Sequence, residues 1–87
     1  MDIDALTERI IGCAYRVHNE LGPGFLEKVY ENALQIELDE DGLAAAQQHP
    51  LPVRYHERIV GDFYADLIVE GRVIVELKAV QSLAKEH

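Results

Sequence analysis

Three charged residues stand inside a stretch that otherwise has the composition of buried strands: Asp66 in Ala65-Asp66-Leu67-Ile68-Val69, and Glu76 and Lys78 in Val73-Ile74-Val75-Glu76-Leu77-Lys78-Ala79-Val80. The runs rich in Val, Ile, Leu, Phe and Tyr on either side of Glu70-Gly71-Arg72 read as a β-hairpin with strands over 61–69 and 73–79, and Gly71 supplies the turn. With a three-residue loop, Val69 faces Val73 and Asp66 faces Glu76. Alternation then places Tyr64, Asp66 and Ile68 on one face with Ile74, Glu76 and Lys78. Phe63, Ala65, Leu67, Val69, Val73, Val75, Leu77 and Ala79 take the other. A two-residue loop would slide the pairing by one and set Asp66 against Val75. In the first register two like charges are directly opposed, which is unfavourable unless a cation lies between them. Two readings fit. One is a solvated strand face. The other is a site for a divalent metal ion, in which carboxylate oxygens suit Mg²⁺ or Mn²⁺ and Lys78 lies beside them.

The first half of the chain is helical in pattern. Asp4 is a candidate N-cap for a helix to about Leu21, with Leu6, Ile10, Cys13 or Ala14, Val17 and Leu21 recurring every three or four residues. Gly22-Pro23-Gly24 breaks it. A second helix over about 25–41 carries Phe25, Val29, Ala33 and Ile36, with Leu26, Tyr30, Leu34 and Leu38 alongside, and Gly42 closes it. Residues 44–48 and 51–55 read as one strand interrupted by Pro50 and Pro52, which suits an edge or bulged strand better than a central one. Glu27 in the first turn of the second helix either complements the helix dipole or serves a site. Tyr30 shares its face and packs. The Gly-Pro-Gly loop ahead of free helix amides could hold an anion, although helix-to-helix connections look the same.

In order along the chain, the GxxExxY run Gly24-Phe25-Leu26-Glu27-Lys28-Val29-Tyr30, a helical run, Gln48-His49-Pro50, the Asp66 strand and Glu76-Leu77-Lys78 strongly resemble the GxxExxY protein family. That family is a branch of the PD-(D/E)xK nuclease-like superfamily, and the resemblance covers roughly residues 5 to 87. It implies an α/β core in α+β order: two N-terminal helices followed by a three-stranded antiparallel meander, then a further core helix and strand. This is a restriction-endonuclease-like core. It further implies Asp66 and Glu76 as metal ligands for Mg²⁺ or Mn²⁺, Lys78 orienting or polarising the attacking water, and Glu27 as the helix acid near the site. The family pattern continues after Glu76-Leu77-Lys78 into a helix with a Gln-containing signature and a closing strand. Residues 1–87 thus read as a single domain whose last helix and strand are missing, a form expected to self-associate or to be a fragment, with weak or absent catalysis.

Composition bounds the rest. Eighty-seven residues, 48% hydrophobic and 28% charged, fit one small domain with a marginal core. No stretch approaches the length of a membrane span, and the acidic start Met-Asp-Ile-Asp lacks the positive charge of a secretory signal, so a cytoplasmic protein is expected. The single Cys13 excludes an internal disulfide and reads as a small buried hydrophobe. Glu37-Leu38-Asp39-Glu40-Asp41-Gly42 loosely matches the start of a calcium loop, but its twelfth position is Gln48 rather than Glu. The four His form no zinc-protease spacing.

A net charge of −8 argues against binding nucleic acid through a broad basic surface. Bound metal ions would change the local potential, and Arg54, Arg58, Arg72, Lys78 and Lys85 all lie in the second half. Three functions stay open: a metal-dependent nuclease acting on DNA more readily than RNA, a nuclease-derived binding or regulatory module, and a plain interaction domain.

Overall fold

The computed structural model describes residues 1–78 and holds α1 (Ile3–Leu21), α2 (Glu27–Glu40), β1 (Ala45–Tyr55), β2 (Arg58–Val69) and β3 (Val73–Val75). The strands form an antiparallel sheet in the order β1-β2-β3, so the chain is two helices followed by a meander, as expected.

Helix α1 buries Leu6, Ile10, Cys13 and Val17, the four-three-four spacing of one helical face. Cys13 rather than Ala14 fills that turn, and burial pushes its thiol pKa up, which suits an inert packing residue. The N-cap is Asp2, not Asp4: the Asp2 carboxylate accepts the Ala5 N–H at 2.8 Å, and Asp4 falls in the first turn. Helix α2 starts at Glu27, after the expected Phe25, and its cap Leu26 offers no side-chain acceptor. Its end is a Schellman motif. Gly42, at φ 79°, lets Leu43 N–H reach Leu38 O at 2.9 Å and Gly42 N–H reach Asp39 O at 3.0 Å, while Leu38 and Leu43 both enter the core. Across the helix pair, Arg9 meets Asp41 at 3.1 Å and Arg16 meets Glu37 at 2.9 Å, neutralising acids that would repel one another.

Of the two rows expected on α2, the one with Leu34 and Leu38 turns inward, and Tyr30 and Ala33 pack against the core beside it. Glu31, Leu34 and Leu38 are buried, while Phe25, Leu26, Val29 and Ile36 are exposed. Tyr30 explains the glycine loop before it: its hydroxyl donates to Gly22 O at 2.6 Å and accepts the Phe25 N–H at 3.3 Å, so the ring fastens the loop onto the helix that follows. Phe25 packs edge-on against the same ring.

In β1, Pro50 pairs with Tyr64 and Pro52 with Asp62, and the strand runs through both prolines because it lies at the sheet edge. The register shift falls later, between Val53 and Arg54. Strand β2 begins three residues before the expected Gly61, because a two-residue turn at His56-Glu57, both at positive φ, joins it directly to β1. The loop between β2 and β3 has three residues, giving Val69↔Val73, Ile68↔Ile74 and Leu67↔Val75. Ala65, Leu67 and Val69 are fully buried on the helix side. On the other side Tyr64 and Ile74 are exposed and Ile68 half-buried. Phe63 shares the parity of the core residues yet is exposed, because it lies beyond the reach of the helices. The ladder of β3 stops at Val75, short of the expected 79, and Ala79 onward, with the expected continuation of the core, lies outside the described residues.

Candidate active site

Extending the β2–β3 register by one pair sets Asp66 against Glu76, and the hydrogen bonds carry that opposition. The Asp66 N–H donates to Glu76 Oε2 at 3.2 Å, and the Leu77 N–H donates to Asp66 Oδ2 at 2.8 Å. Each carboxylate thus takes an amide from the facing segment, which is why the regular ladder ends at Val75. Backbone donors from the facing segment thus reach both of the opposed carboxylates.

A second arm of the site comes from β1. Gln48 sits at φ 51°, an unusual backbone for a residue with a side chain. Its Nε2 lies 3.3 Å from Asp66 Oδ1 and 3.2 and 3.3 Å from the two oxygens of Glu31, so one amide links α2 to β2. Glu31 is 4% exposed, the one charged side chain in the core of the described residues. It also accepts Gln47 Nε2 at 2.8 Å and Lys28 Nζ at 3.1 Å. Burial alone would raise its pKa; the donors from Gln47, Lys28 and Gln48 outweigh that, and the carboxyl is held below its ordinary value. Glu31 is therefore ionised at neutral pH.

The acid that reaches Asp66 through Gln48 is thus Glu31. Glu27 lies one turn earlier on the same face with an exposed side chain. The sequence contained a signal for Glu31: at 31, 34 and 38 it interrupts an apolar stripe with a charge. Lys78 follows Glu76 by two residues with its side chain exposed.

Among the described residues no three His, Cys, Asp or Glu side chains gather closely enough to hold a metal ion. The donor set still suits a hard divalent cation. Asp66 and Glu76 supply carboxylate oxygens only, and Mg²⁺ is commonly held by one or two carboxylates with water and substrate phosphate completing its shell. No described helix is long and apolar enough to cross a membrane.

Helices stand before an antiparallel meander, with an acid on the middle strand and Glu-x-Lys directly after the third, an α+β arrangement. A model of the family described as the PD-(D/E)XK nuclease superfamily matches residues 4–87, and the chain belongs to that superfamily. What the structure describes is consistent with part of that fold. Neither a curated protein nor a solved structure matches the chain.

Proposed function

We propose that this protein is a metal-dependent phosphodiesterase acting on nucleic acid, DNA in preference to RNA, of the GxxExxY branch of its superfamily. The observation that carries the reading is the joining of Asp66, Glu76 and Glu31 through backbone amides and Gln48. These donors satisfy the carboxylates without neutralising them. Asp66 and Glu76 would hold Mg²⁺ or Mn²⁺, which when bound supplies Lewis acidity at the scissile phosphate. Glu31 fixes Gln48, and Gln48 fixes Asp66. The Lys78 ammonium orients the water and offsets charge developing on the non-bridging oxygens. Water adds to phosphorus, one ester P–O bond breaks, and the products are a phosphomonoester and an alcohol. Glu27 contributes negative potential at the rim from the first turn of α2.

Calorimetric titration with Mn²⁺ tests the site: binding that Glu76→Ala abolishes is expected, and equal binding by the variant removes the proposal. Metal-dependent nicking of plasmid DNA, blocked by EDTA and lost in Asp66→Ala, is the matching activity.

The net charge of −8 favours a second reading, a nuclease-derived module that recruits a protein partner and does not cleave. Metal-dependent nicking lost in Asp66→Ala would dismiss it.

A further inference from the structure

Beyond the Leu67↔Val75 pair the sheet of the described residues is a two-stranded ribbon of β1 and β2. From the Leu51↔Phe63 pair to the Tyr55↔Arg58 pair it contains no buried residue, and neither described helix covers it. Solvated ribbons are ordinarily polar. This one exposes Val53, Tyr55, Ile59, Val60 and Phe63, with Tyr64 at its root and the Tyr55 and His56 rings 4.3 Å apart at its tip.

Its charges are also distinctive. Over residues 1–44, ten acids against three bases give −7; over 45–87, six against five give −1. In the helices, Arg9, Arg16 and Lys28 are all bound to carboxylates. The Arg54 and Arg58 side chains have no such partner among the described residues. The arm itself, residues 51–64, sets Arg54 and Arg58 against Glu57 and Asp62 and is neutral overall, so a polyanion meets less repulsion there than at the acidic helices, and two available guanidinium groups.

The arm leads to the site. Tyr64 lies two residues before Asp66 on β2, on the same side of the strand. Gln48 and Arg54 are six residues apart on β1, about 20 Å at strand rise, or about six stacked nucleotides.

We propose that the β1–β2 arm is a guide for single-stranded nucleic acid, with bases stacking on Tyr55 and Tyr64, phosphates meeting Arg54 and Arg58, and the strand delivered toward Asp66 and Glu76. The direction of delivery rests on the nuclease reading of that site; the binding does not. Exposed aromatic faces are of use to unpaired bases, whereas a duplex hides them, and this selects single strands.

The test uses the full 87-residue chain in EDTA, so that cleavage plays no part. Fluorescence anisotropy is read with a labelled 20-nucleotide oligothymidylate and with a duplex of equal length. The wild type should bind the single strand about five-fold or more tighter, in line with stacking on exposed aromatic rings. Tyr55→Ala/Tyr64→Ala should weaken it about thirty-fold or more at an unchanged salt slope. Arg54→Glu/Arg58→Glu should weaken it and lower the slope by about 1.4, the loss of two phosphate contacts. Circular dichroism checks the fold of each, and Arg54→Gln/Arg58→Gln replaces the reversal if that unfolds the chain. Equal binding by wild type and folded variants, preference for duplex, or no binding would overturn the proposal. So would self-association abolished by the same substitutions, which would make the arm an interface between copies. Mn²⁺ titration of the same proteins after EDTA has been dialysed away separates the two readings: arm-dependent binding without a metal isotherm refutes the nuclease alone, and a metal isotherm without arm-dependent binding refutes the guide alone.

Discussion

Replacing Glu31 by Gln should destabilise this protein by about 2 kcal/mol at pH 7. The side chain is buried and accepts from Gln47, Gln48 and Lys28. A hydrogen bond to a charged group contributes about 1.5–3 kcal/mol. The amide keeps one acceptor but turns a donor toward Gln47 and Gln48. Lys28 is largely exposed, so loss of its ion pair adds at most about 0.5 kcal/mol. For a domain of this size the total corresponds to a fall in melting temperature of about 8–16 °C. The pH dependence fixes the mechanism. Because the carboxyl is held below 4.5 in the folded state, its stabilisation is complete above the unfolded value and is lost as pH falls through the folded one. Urea titrations at pH 7, 5, 4 and 3 should therefore show the gap between wild type and variant closing on acidification. A gap under about 0.5 kcal/mol at pH 7, or one that widens in acid, would refute the reasoning, since a buried Glu31 that is protonated when folded behaves that way.

Glu76→Gln should raise stability in EDTA by about 0.5 kcal/mol by relieving the opposition to Asp66. It should also erase the rise in melting temperature that Mn²⁺ gives the wild type, about 2.7 kcal/mol of stabilisation at one hundred times Kd; an equal Mn²⁺ effect in both would count against the ligand role. Tyr30→Phe removes the hydroxyl that binds Gly22 and Phe25 and should cost about 1 kcal/mol, with faster amide exchange at Phe25; unchanged exchange there would mean that the loop holds itself. His56→Asn/Glu57→Gly, suited to the two positive φ values at the hairpin tip, should stabilise by about 0.5–1 kcal/mol and leave metal binding unaltered, as chemical denaturation and titration would show.

The sequence was most legible where one physical rule acted alone. The spacing of Leu6, Ile10, Cys13 and Val17 identified the buried face of α1, and the three-residue loop Glu70-Gly71-Arg72, one of two loop lengths the sequence allowed, gives the register that opposes Asp66 to Glu76. Periodicity left two rows open on α2, because Phe25, Val29 and Ile36 recur at helical spacing beside Leu34 and Leu38, and the face turned inward also holds Glu31. A buried carboxylate is tolerated there because donors arrive from β1, sixteen and seventeen residues away in sequence, a pairing that no local pattern reveals. The turn at His56-Glu57 was equally hidden, since neither residue is among those that favour positive φ in a tight hairpin.

How each part of the molecule treats its acids bears most directly on function. Between the helices, Asp41 and Glu37 are met by Arg9 and Arg16, so charge is cancelled where packing is the purpose. Around Asp66, Glu76 and Glu31 the partners are two backbone N–H groups and the amides of Gln47 and Gln48; the bound cation, Lys28, stands at the surface side of Glu31 alone. Neutral donors fill lone pairs and hold geometry, but they leave the negative potential in place. A site serving stability alone gains more from an Arg at such a point, because paired charges are satisfied and neutralised together. Retaining the field is costly to folding and useful for attracting a divalent cation, and the Glu76→Gln measurement separates those two consequences in one protein.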